Sequence, residues 1–112
     1  SNRRRWRTNM GTHTPAQKLW TAVFGSRDAP DLQEDKVRAL VEGLPDSRER
    51  LAVLLRYGFE GGHYTMRQIG RLIPRANGST GVSRPMATRL LQRGVRRLQQ
   101  SARRQAWKDA ER

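Results

Sequence analysis

The side chains of Arg84, Thr88, Arg89, Gln92, Arg93 and Arg96 are spaced so that a helix would set them on one side. The opposite side would carry Ala87, Leu91 and Leu98. A guanidinium is always charged and holds five N–H donors in a planar fork, which matches a phosphate or the outer edge of guanine. Glutamine and threonine add neutral hydrogen-bonding groups. The chemistry these residues could do is recognition of a polyanion. The surrounding stretch "VSRPMATRLLQRGVRRLQQ", Val82 to Gln100, holds five arginines and no acid. A helix that needed only solubility would mix in glutamates one turn away. The missing negative charge must come from a partner, and DNA phosphates would supply it.

The whole chain repeats that asymmetry. Its 112 residues carry a formal net charge of +13, from 23 basic and 10 acidic side chains. Eight of the acids lie between Asp28 and Glu60, and none lies between Gly61 and Lys108. Arg3, Arg4, Arg5 and Arg7 add a basic N-terminal arm. A mildly acidic middle between two basic segments is the footprint of a nucleic-acid binder.

Other chemistries find little support. There is no cysteine, so disulfides and thiolate metal sites are excluded. His13 and His63 stand apart from any carboxylate cluster, and no metal site is expected. No nucleophile–base arrangement and no phosphate-loop motif is visible, so neither a catalytic residue nor a cofactor is expected. No apolar run approaches the roughly 20 residues of a membrane span, and "SNRRRWR" is no signal peptide. A cytoplasmic location is the expectation. The opening Ser-Asn without an initiator Met suggests a cloning remnant and a piece of a longer chain.

The elements that must position the arginines follow from periodicity and caps. The fold class is all-α: a small bundle of about five helices ending in a helix-turn-helix with a long basic recognition helix. Residues 1–13 are expected to be a disordered basic arm. Residues 14–43 form a helical pair. Its first member spans Pro15 to Phe24, capped by a Thr14-x-x-Gln17 box. Its second runs from about Asp31 to Glu42. Residues 44–108 form the main unit, with 109–112 as tail. Its first helix starts near Asp46, with Glu49 completing a further capping box, and ends at Tyr57. A short helix follows, capped by Thr65 with Gln68. Ser83 caps the last helix, which tolerates Pro85 in its first turn and is expected to continue to Trp107. Trp20 is assigned to the core; Trp107 either covers the bundle or meets a partner. Gly94 would let another helix approach closely.

Several motifs in order resemble region 4 of bacterial sigma factors: Leu44-Pro45, Arg48-Glu49-Arg50, Leu55-Arg56-Tyr57-Gly58, Thr65 through Ile69-Gly70, and Gly81-Val82-Ser83-Arg84. The likeness covers Leu44 to Gln100. It implies recognition of a −35-type promoter element in the major groove and docking on the flap of the RNA polymerase β subunit. It also implies base- and phosphate-facing roles for Arg84, Thr88 and Arg89, and backbone contacts from Arg67 and Gln68. The expected DNA-facing set is Arg67, Gln68, Arg75, Ser83, Arg84, Thr88, Arg89, Gln92, Arg93 and Arg96. Two positions depart from the family pattern. Pro85 replaces a glutamate that could accept from cytosine, and "PRANGST" lengthens the turn between the two helices. A longer turn is cheap, at about 0.6 kcal/mol per doubling of length, and Arg75 within it would reach a phosphate.

The competing expectation is a protein-interaction module that docks to RNA polymerase, with DNA contact secondary; it draws on the acidic middle and the apolar positions of the first three helices. RNA binding ranks third, because stacking aromatics are few.

Overall fold

Three sequence-encoded caps start three of the helices. Thr14 accepts from the Gln17 N–H at 3.2 Å while Gln17 returns a bond to the Thr14 N–H, and Thr65 and Gln68 repeat that reciprocal box. Ser83 accepts from the Met86 N–H at 3.2 Å. Each satisfies donors that a helix start leaves unpaired. In a computed structural model that describes residues 13–26 and 28–112, the elements are α1 (Pro15–Phe24), α2 (Glu34–Glu42), α3 (Ser47–Arg56), α4 (Met66–Leu72), α5 (Arg84–Leu98) and α6 (Ser101–Ala110). The protein is an all-α bundle. Residues 1–12 of the basic arm, Trp6 included, lie outside the described residues.

Two apolar clusters hold the bundle. The first gathers Leu19 and Val23 of α1, Val37 and Val41 of α2, Val53 and Leu54 of α3, Leu98 at the end of α5, and Trp107 and Ala110 of α6. The second gathers Ala52 and Leu55 of α3, Ile69 and Ile73 from the α4 region, and Ala87 and Leu90 of α5. Consecutive residues Ala52 to Leu55 serve both clusters, so α3 is a wall buried on two sides. The helical pair α1–α2 is therefore packed into a core it shares with α3, α5 and α6.

The structure corrects four details of the helices, and the burial of Trp20 as well. The last helix does not run unbroken to Trp107. Gln100 takes an extended conformation, ψ 150°, and α6 starts anew beyond it. A continuous helix would carry Trp107 about 13 Å past Leu98 along the axis of α5. The break instead lets Trp107, 1% exposed, reach the first cluster, where it meets Phe24 edge-on at 5.7 Å. This makes six helices among the described residues, with Trp107 covering the bundle. Trp20 is half-buried rather than enclosed, stacked obliquely on Phe24 at 5.0 Å.

The second correction concerns α2, which starts three residues late. Leu32 is buried and extended, bridged to Glu111, and the Gln33 N–H donates to the Ala110 carbonyl at 2.8 Å. Next, α3 ends at Arg56, with Tyr57 as its C-cap. Finally, the capping box expected at Asp46 and Glu49 is only half made. Asp46 accepts from the Arg48 and Glu49 N–H groups, but Glu49 turns inward. Its side chain is 2% exposed and accepts from Arg97 Nε at 2.7 Å.

Candidate nucleic-acid interface

The arginine row is set by how α5 is seated. Gly94 gives α5 its close approach to α3: a Cβ there would stand 2.8 Å from Val53 Cγ2 and 3.3 Å from the Glu49 carbonyl oxygen. The Arg97–Glu49 pair clasps the same two helices one turn later. The glycine noted for helix approach thus serves a contact within the chain. With Ala87, Leu90 and Gly94 buried, Arg84, Arg89, Gln92, Arg93 and Arg96 are left exposed and Thr88 half-buried.

At the start of α5 an open cleft is lined by Arg56, Thr65, Met66, Arg67 and Arg84. Arginines from α3, α4 and α5 line it together, with no acid among the lining residues. None of the three has an ion-pair partner among the described residues. Arg84 is also the first residue of α5, which has no acid in its first turn. A cation at the positive end of a helix is unfavourable, and an anion placed there reverses the sign. An anion would be favoured in this cleft. Arg56 was not among the residues expected to contact DNA. It lies on another helix, and only the tertiary fold brings it beside Arg67 and Arg84.

Other expected site residues have structural work already. Gln68 and Ser83 are exposed but engaged in caps. Arg75 is exposed, and its Nε donates to the Gly81 carbonyl. The side chain acts first as a strut. Across the rest of the molecule, Arg38 bridges Glu42 and Glu60, and the two hydrogen bonds hold its guanidinium above the ordinary arginine value. The acidic middle is therefore matched in part by its own arginine, whereas the face of α5 is not.

His13 and His63 are exposed, and no grouping of metal-binding side chains occurs among the described residues. Among those residues no helix is long and apolar enough to cross a membrane. Compared with known proteins, the chain matches no family model, no curated protein and no solved structure.

Proposed function

We propose that this protein binds double-stranded DNA in transcription, with α4 and α5 acting as a helix-turn-helix and α5 as the recognition helix in the major groove. One observation carries the reading: a row of exposed, unpaired arginines on α5 that continues into a cleft where Arg56, Arg67 and Arg84 meet without an acid. A groove about 12 Å wide admits one helix. The N-terminal part of α5 would present Arg84 and Thr88 to base edges, and the cleft would hold backbone phosphate. The resemblance to sigma region 4 agrees with this placement. Pro85 offers no side-chain acceptor, so base preference in this reading rests on Arg84, Thr88, Arg89 and Gln92.

The test is selection from a random duplex library, followed by a salt titration of the bound fraction. With about five phosphate contacts, the log–log salt slope should be about −4 to −5. An enriched motif resembling a −35 element would tie the chain to promoter recognition. Salt-sensitive binding without enrichment would make it a general DNA-docking domain. Absence of duplex binding at low salt would sink the proposal.

A second reading, docking to RNA polymerase, has its own observation. Trp20, Phe24 and Trp107 line an open groove between α1 and α6 that shares no residue with the arginine row. Polymerase retention that survives loss of the α5 arginines would support it.

A further inference from the structure

We infer that the segment Pro74–Thr80 is a second DNA-contacting element, which lies against the sugar–phosphate wall of the groove that α5 enters. This inference rests on the duplex-binding reading above. The segment is a built hairpin. The Arg75 N–H donates to the Ser79 carbonyl at 2.7 Å and the Gly81 N–H to the Ile73 carbonyl at 2.8 Å. These two bonds bracket the antiparallel pair Pro74–Thr80. In such a pair the facing residues exchange no hydrogen bond, so the missing N–H of proline costs nothing there. The loop is Ala76-Asn77-Gly78: the Gly78 N–H donates to the Arg75 carbonyl, and Gly78 takes φ +92°. Asn77 Oδ1 accepts from the Ser79 N–H at 3.0 Å and the Ser79 hydroxyl at 2.7 Å. A three-residue loop closed by a left-handed glycine is a standard hairpin connection.

Yet no residue of the hairpin is buried. Every residue from Pro74 to Thr80 is exposed. Ordering a backbone costs conformational entropy, and here little apolar burial of the segment's own offsets it. Its position is also fixed. The Val82 N–H donates to the Gly70 carbonyl at 2.7 Å, and Arg75 braces the Gly81 carbonyl. Thr80 stands four residues before Arg84, at most about 14 Å of extended chain. When the first turn of α5 is inside a groove about 12 Å wide, the hairpin base is at the groove edge.

The chemistry fits that wall. The segment has no acid and no large apolar side chain. The backbone N–H groups of Ala76 and Asn77 donate to no backbone carbonyl among the described residues. With the Ser79 and Thr80 hydroxyls and the charged guanidinium of Arg75, they suit phosphate and sugar oxygens, which position a protein without reading sequence.

The test places charge at Ala76, which is exposed and makes no side-chain bond in the hairpin, and compares Ala76→Lys and Ala76→Glu with Ala39→Lys on α2. Ala76→Lys should tighten duplex binding at low salt and steepen the log–log salt slope by about 0.9, the value for one added phosphate contact. Ala76→Glu should weaken binding, and Ala39→Lys should leave the slope at the parent value. Because the chain has no cysteine, Ala76→Cys carries the only thiol, and a photo-crosslinker on it should capture the duplex. The inference is overturned if the parent binds duplex while both Ala76 charge variants keep its affinity and slope. It is overturned equally if Ala39→Lys shifts the slope as much as Ala76→Lys, or if the thiol variant binds without crosslinking. A parent that binds no duplex overturns the proposed function itself.

Discussion

Single side chains carry two expectations. Arg84 and Arg89 are exposed on α5 with no ion-pair partner among the described residues. Replacing either with alanine should cost roughly 1–3 kcal/mol of duplex binding and relax base preference at one position. Fluorescence anisotropy against a panel of duplexes checks this, and unchanged binding would place the interface elsewhere. Tyr57 is a different case. Burial pushes its phenol above the ordinary tyrosine value, and Arg56 pulls more weakly the other way. The folded state therefore holds the proton more tightly than the unfolded state does. The resulting stability is complete below the ordinary tyrosine range and is lost as pH rises through the raised value. In Tyr57→Phe that alkaline decline should shrink, as followed by denaturant unfolding across a pH series with phenolate absorbance as a second readout.

At the scale of elements, the packing of α5 on α3 makes the sharpest forecast. Gly94→Ala gains up to about 1 kcal/mol in helix propensity but drives a methyl against Val53 and the Glu49 backbone, where overpacking costs about 1–3 kcal/mol. Net destabilisation is expected, seen as a lower denaturant midpoint with an unchanged slope. Trp107→Ala should cost about 3–5 kcal/mol, because it removes the side chain that holds α6 to α1 and α2. A loss below 1 kcal/mol would mean that α6 is not held there. These two elements also show what the sequence made legible. The caps at Thr14, Thr65 and Ser83 were legible because donor and acceptor lie three residues apart and depend on nothing distant. The exposed face of α5 was legible by the same locality, through helical spacing. The break at Gln99-Gln100 was not, since neither residue is a helix breaker; what decides it is the gain from burying Trp107, a long-range term. Glu49 looked like a capping residue because its partner, Arg97, lies 48 positions away. Arg56 stayed hidden as a site residue for the same reason.

For the whole molecule, charge placement is the governing feature. The acids Asp35 and Glu42 sit on α2, which packs on α1, α3 and α6, while the arginine row belongs to α5, seated mainly on α3 and α4. Asp35→Asn and Gln92→Lys each raise the net charge by one. If only net charge mattered, both would speed association with DNA equally. If the distribution steers encounter, Gln92→Lys should raise the low-salt association rate more, and the difference should fade as the Debye length falls below about 10 Å; stopped-flow mixing over a salt series measures it. The double-sided burial of α3 reaches further. A wall common to both apolar clusters cannot detach from one without uncovering the other. Partial opening then has no cheap route, and the two halves of the bundle should melt in a single step. The amide protons of Ala52 to Leu55 would be the last in the chain to exchange with solvent, so the buried helix α3 would set the lifetime of the arginine face that α5 presents.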